Sequence, residues 1–286
     1  MKKFIGWIAR LVGFDRNPTV SVVRLNGVIG SSGGLSSGLT LAGIAKQLDQ
    51  AFDKSRLKAV ALQINSPGGS PVQSRLIHDR VRVLSEEKGI PVFAFCEDVA
   101  ASGGYMLAIA ADEIFADSSS IVGSIGVISA GFGFPGLLEK LGVERRVHTS
   151  GENKSTLDPF SPEKDEDVDR ILAIQADVHE GFKDLVRSCR GDRLKEDDNA
   201  AMFTGEFWTA GKAREMGLID GIGDLRSVMR KRYGSKVKLN VVTEKKSLLR
   251  RAHLEASANP MADIFGAPGQ ALAWLESRSF WARFGL

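Results

Sequence analysis

The chain has 286 residues, 43% of them hydrophobic and 26% charged, which gives it enough apolar mass for a sizeable core and separates it from disordered chains. Its 38 basic and 35 acidic residues leave a formal charge of +3, spread without a long basic run and with only four tryptophans and two tyrosines to stack bases, so nucleic-acid binding has little support. Two cysteines, Cys96 and Cys189, indicate neither a disulfide framework nor a metal cluster, and no run approaches the roughly 20 apolar residues of a membrane-crossing helix.

The first residues, "MKKFIGWIARLVGF", set Phe4, Ile5, Ile8, Leu11 and Val12 on one helical face. Residues 1–14 therefore read either as an interfacial helix making peripheral membrane contact or as a helix packing on its own domain or a sister subunit. Arg10 interrupts the apolar stretch and no A-x-A-like site follows, so a cleaved signal peptide is not expected. The expected location is cytoplasmic or peripheral to the inner membrane.

"TVSVVRLNGVIG", residues 19–30, reads as a strand leading into the loop "GSSGGLSSG", and residues 40–53 have the apolar spacing of a helix. "LKAVALQINSPGG" is a buried strand broken at Pro67, Gly68 and Gly69; Ser70 and Pro71 then cap and open a helix running to about Lys88. "IPVFAFCEDVA" is the next strand, with Ser102 at its end and "GGYMLAIAA" opening a helix. The rhythm continues through "EIFADSSSIVGSIGVIS", "GFPGLLEKLGV" and "ERRVHTS". Such alternation predicts an α/β fold of right-handed βαβ units on a largely parallel sheet. Past Pro159, Ser161 and Pro162 open a long helix with acidic first turns, buried through Val168, Ile171, Leu172, Phe182, Leu185 and Val186 and ended by Gly191. A short helix stopped at Gly217 and a late strand, "KVKLNVV", complete a domain over 17–243, between the segment 1–16 and a tail or docking helix at 244–286.

A serine hydroxyl becomes a nucleophile only with a base in reach and donors for the oxyanion formed on attack. For Ser102 the amide of Gly103 is one such donor, and "NSPGG" supplies a second where Gly68 and Gly69 let backbone approach a ligand. The two strand ends are expected to be neighbours, with Tyr105 and Met106 as core or pocket lining and Ser124 of "VGSIGV" as a packing residue. Four histidines offer no evident base. His78 shares the polar side of its helix with Arg75 and Arg82, His148 points away from the apolar face of its strand, His179 lies on the acidic helix and His253 in the tail. Lys154 occupies a turn, "HTSGENKSTLDPF", instead of a solvent stripe. To act as a base it must be neutral near pH 7, at a cost of about 4 kcal/mol that burial at a subunit or domain junction supplies.

Taken together, "INSPGG", "ASGGY", "VGSIGV", the loop lysine and "GEFWTAGKAREMGLIDGIGD" resemble the signal peptide peptidase A family over roughly residues 19–240. The resemblance implies the crotonase/Clp-like fold, Ser102 as nucleophile and Lys154, 52 residues further on, as its dyad base. It also implies Gly69 and Gly103 as oxyanion donors and peptide substrates such as signal-peptide remnants, with no metal or cofactor. Family members assemble into rings or domes; a single-copy chain needs more subunits, and its dyad is then completed across an interface. Bacterial relatives usually carry a true transmembrane anchor, where this chain has a short amphipathic segment. A Clp-type peptidase would place histidine where Val127 stands, and a crotonase-type acyl-CoA enzyme would place acidic residues where Ser102 and its glycines stand. A scaffold of the same fold without chemistry is the third alternative.

Overall fold

The computed structural model describes residues 17–30, 38–195, 199–243 and 278–286. The amphipathic segment 1–16, most of the Gly/Ser loop, His253 and most of the expected tail lie outside the described residues.

The sheet grows from three strands whose odd and even positions feed two different cores. In β1 (Thr19–Asn26), Val23 and Leu25 point into the main core and Val20 and Val22 into a smaller one. The same alternation divides Leu62 and Ile64 from Ala59 and Ala61 in β2 (Leu57–Ser66), and Ala94 and Cys96 from Phe93 and Phe95 in β3 (Val92–Ala101). Strands buried on both faces need covering elements on both sides. On the main side these are α1 (Leu41–Phe52), α2 (Pro71–Lys88) and α3 (Gly103–Ala108), together with the distal half of α5 (Asp165–Arg190). The other side is covered by α8 (Leu225–Tyr233), through Met229, Leu225 and Val228.

The remaining elements are β4 (Glu113–Ala116), β5 (Ile121–Gly123), α4 (Pro135–Leu141), α6 (Asn199–Met202), β6 (Phe207–Thr209), α7 (Ala210–Glu215), β7 (Gly221–Ile222) and β8 (Lys238–Val241). The strand order is β6-β5-β3-β2-β1-β8, with β4 pairing β3 and β7. Every ladder is parallel except β5 with β6. The expected largely parallel α/β architecture is what is found.

Helix ends follow local chemistry. The hydroxyl of Ser70 accepts from Gln73 N at 3.3 Å and Pro71 holds the first helical position of α2, while Gly89 (φ 63°) closes that helix in the left-handed conformation. Residues 278–286 return to the sheet, where Phe284 packs with Val99 and Ala101 and meets Phe207 edge-on at 5.0 Å.

Several local expectations are corrected. The long helix begins at Asp165, four residues after Ser161, and the apolar side chains of its proximal half are not fully buried: Val168 and Ile171 are half-buried and Leu172 is exposed. "ERRVHTS" is not a strand, since no sheet edge lies beside it, and Val143, Val147 and His148 are all exposed. His78, expected on a solvated face, is buried at 4% exposure beneath the end of α5.

After β5 the chain leaves the sheet as an arm closed on itself. Phe134 N donates to Pro159 O at 2.6 Å, Phe134 and Phe160 lie 5.7 Å apart, and Arg145 pairs with Asp158 at 3.0 Å while covering the Phe160 ring. Along this arm Ile128, Phe132, Leu137 and Leu141 face solvent, Phe132 at 82% exposure.

Candidate active site at the carboxyl ends of β2, β3 and β5

Ser102 lies between β3 and α3 with φ 52° and ψ −121°, a conformation that L side chains rarely adopt. Its amide donates to Gly123 O at 2.8 Å, tying the turn to the end of β5, and its carbonyl accepts from Met106 N at 3.0 Å. Among buried neighbours on both sides, Ser102 is partly exposed, and its hydroxyl has no hydrogen-bond partner among the described residues. The backbone thus turns one oxygen outward at the mouth of the sheet. Gly103 follows it; as the first residue of α3 its amide has no intrahelical acceptor. A side chain at Gly103 would collide with Ser74 Oγ, which itself donates to Ser70 O at 2.8 Å.

The loop after β2 supplies the facing wall. Gly68 (φ 103°) lies so close to the turn that a Cβ there would stand 2.8 Å from Ser102 Cβ and 3.0 Å from Gly103 N. Gly69 (φ 141°) is clamped by Ile29, whose amide donates to Gly68 O and whose carbonyl accepts from Ser70 N, both at 2.8 Å. The Gly69 amide between them has no acceptor among the described residues. The sequence break at Pro67, Gly68 and Gly69 is therefore a close-approach loop, and Gly68, Gly69, Ser102 and Gly103 converge.

Lys154 is placed differently. It is exposed in a turn of the arm, its amide donates to Gly151 O at 3.2 Å, and its ammonium has no partner among the described residues. Within one protomer Ser102 and Lys154 are not hydrogen-bonded. The turn is pinned from α5: Asp167 accepts from Leu157 N at 3.3 Å and from Arg170 Nη1 at 2.8 Å, and Arg170 donates to Thr156 Oγ1 at 3.2 Å.

Tyr105 is fully buried and donates its hydroxyl to Leu218 O at 2.8 Å, where burial pushes its phenol pKa up; Met106 is buried beside it at 6% exposure. Both lie beneath the turn. Ser124 is buried next to Gly123, shares the φ of 52°, and donates its amide to Glu206 O at 2.6 Å. Two strained serines at adjacent strand ends mark the site more sharply than the sequence does; only the glycine before Ser124 hinted at its backbone. His179 reaches the same strand end, its Nε2 3.1 Å from Ile125 O. Among the described residues no group of three His, Cys, Asp or Glu could hold a metal ion, and no helix is long and apolar enough to cross a membrane.

Residues 85–239 match the profile of peptidase family S49. The chain is 51% identical over 273 residues to the Na(+)/H(+) antiporter NhaA of Brucella abortus (strain 2308), covering 93% of this chain and 37% of that protein. It is 31% identical over 282 residues to the chloroplastic serine protease SPPA of Arabidopsis thaliana, covering 95% of this chain and 40% of that protein. The chain thus spans two fifths or less of these relatives' length. A structure of the membrane-bound stomatin-specific protease 1510-N, a variant in complex with a substrate peptide, superposes with a TM-score of 0.52 at 15% identity, covering 84% of this chain and 99% of that one. That likeness carries the fold alone. The profile spans more than half of the chain and includes both the Ser102 turn and the lysine arm, and on it the chain belongs to peptidase family S49, as its resemblance to signal peptide peptidase A implied.

Proposed function

We propose that the protein is a serine endopeptidase in which Ser102 attacks the peptide carbonyl and Lys154 of a neighbouring copy takes the proton. The amides of Gly69 and Gly103 hold the oxyanion, and water then releases the acyl-enzyme, Lys154 returning its proton to the leaving amine. The observation that carries this reading is the Ser102 turn: a strained, partly exposed serine beside two glycine amides with no acceptors among the described residues, at the carboxyl end of a parallel sheet. An exposed lysine without a partner among the described residues, on an arm with an exposed apolar surface, supports completion of the dyad by a second copy in a homo-oligomeric ring or dome. Contact with that copy would also remove the water that keeps the amine charged. Substrates are extended peptides, including signal-peptide remnants and other membrane-derived segments, since an enclosed site excludes folded proteins. Residues 1–14 would bring the assembly to a membrane surface.

The test is complementation. Ser102→Ala and Lys154→Arg are each expected to lower peptide turnover at least about a thousandfold, and arginine keeps the charge without being able to act as a base. Mixing the two inactive proteins after dissociation should restore activity, because a hybrid interface pairs an intact serine with an intact lysine. Undiminished turnover by Ser102→Ala alone would end the reading; failure of the mixture, with both singles inactive, would place the dyad within one chain.

A further inference from the structure

A second nucleophile lies away from the serine turn. Cys189, in the last turn of α5, has its Sγ 3.5 Å from Nε2 of His78 in the middle of α2. On the other side of the ring, Nδ1 lies 2.9 Å from Oδ1 of Asp79. The Asp79 carboxylate also accepts from Arg75 Nε at 2.8 Å. Burial opposes its charge, but the bonds to His78 and Arg75 hold it below the usual carboxylate range. An ionised carboxylate only accepts, so the ring proton is on Nδ1 and the Nε2 lone pair faces the thiol.

Burial keeps both partners of the pair neutral at rest. Burial lowers the His78 pKa, leaving the imidazole neutral and able to accept a proton. Burial raises the Cys189 pKa against the pull of Ser188, Arg82, Arg75 and Arg190, so the resting group is a thiol that needs a base. The base is in contact, and a third group orients it: the connectivity by which a histidine and a carboxylate activate a weak nucleophile. Cys189 is partly buried where it packs on the main core, and it is the more open of the two cysteines. Cys96 is the internal contrast, fully buried in β3, with its pKa pushed up to about 12.

We propose that Cys189, His78 and Asp79 form a thiol-exchange site that accepts a low-molecular-weight disulfide and ends as a mixed disulfide on Cys189. Sγ attacks one sulfur of the disulfide while its proton passes to His78 Nε2. The new S–S bond forms as the old one breaks, and the departing thiolate carries off the electron pair and recovers the proton from the imidazolium. Protein thiol and small disulfide become protein mixed disulfide and small thiol, with no further oxidant. Asp79 stabilises the transient imidazolium.

The experiment uses the full chain with oxidised glutathione at pH 7.5, the adduct being located and timed by peptide mass spectrometry. A single adduct on Cys189, removed by reductant, with Cys96 unmodified, is expected. The rate should fall at least about tenfold in His78→Gln, the low end for loss of a general base, and several-fold in Asp79→Asn. The Asp79 side chain is 47% exposed, so that variant keeps the fold even where His78→Gln does not. No adduct on Cys189, an adduct shared equally with Cys96, or a rate in Asp79→Asn within twofold of the parent would overturn the proposal. The readout is protein mass, so it stands apart from the fate of the Ser102 and Lys154 reading.

Discussion

Ser102 and Ser124 hold φ 52° at neighbouring strand ends, and strain of this kind costs on the order of 1–3 kcal/mol per residue unless its surroundings enforce it. Here backbone hydrogen bonds hold both turns, Ser102 N to Gly123 O and Ser124 N to Glu206 O, and neighbouring glycines leave the room for them. At Gly69 an added methyl would run into the carbonyl oxygen of Ile29, in a backbone conformation that alanine already disfavours. Gly89, also at positive φ, has open space around it. Gly69→Ala is therefore expected to cost clearly more stability than Gly89→Ala, which should lose only about 1 kcal/mol of left-handed strain; denaturant midpoints of the two variants measure the difference. Equal costs would mean that Ile29 yields and that the loop is not clamped. The sequence made this loop and the Ser102 bend legible, because a strand that stops at Pro-Gly-Gly or Ser-Gly-Gly has few conformations open to it. It did not show the burial of His78, since the residue covering it, Cys189, is 111 positions away and no local period reports such a contact.

Between elements, one buried ion pair joins the end of α5 to the β4 and β7 edge. Arg190, with its side chain 1% exposed, donates to Gly217 O at 2.9 and 2.7 Å and to both oxygens of Asp220 at 2.9 and 3.0 Å, and Asp220 also accepts from Ile114 N at 2.7 Å. Burial would raise the Asp220 pKa, yet Arg190 and the Ile114 amide hold it below the ordinary value. A carboxyl depressed in the fold stabilises it at every pH above the unfolded-state value and loses that contribution as pH falls through the folded one. Below about pH 4 the parent should therefore lose stability more steeply than Asp220→Asn, while near pH 7 that variant is the weaker of the two; thermal melting across this range checks both. Arg190→Ala leaves the carboxylate without its buried partner and should cost about 3–5 kcal/mol. Periodicity revealed α5, including Phe182, Leu185 and Val186, but extended its buried face to Leu172, because an apolar stripe does not say which neighbour covers it.

For the whole molecule, that uncovered stripe and the arm raise one question. Ile128, Phe132, Leu137 and Leu141 on the arm are exposed, as are Leu172, Ile174 and Val178 on α5, although the arm's own ends are tied together by Phe134, Phe160, Arg145 and Asp158. On the reading proposed above, this apolar exterior is the surface that a second copy covers, since monomers rarely leave large contiguous apolar patches in water. The arm also carries Lys154, so whatever covers it decides whether the amine meets water or a serine. If the cover is a second copy, a charge set into the patch separates assembly from folding. Leu141→Asp, at a position 65% exposed and outside the core, should leave the melting of the protomer's core unchanged while reducing the mass seen by light scattering toward a single chain. Peptide turnover should fall with the mass and return when the concentration is raised enough to force association. A variant of protomer mass with undiminished turnover at every concentration would show that one chain suffices, and the arm would then need another occupant.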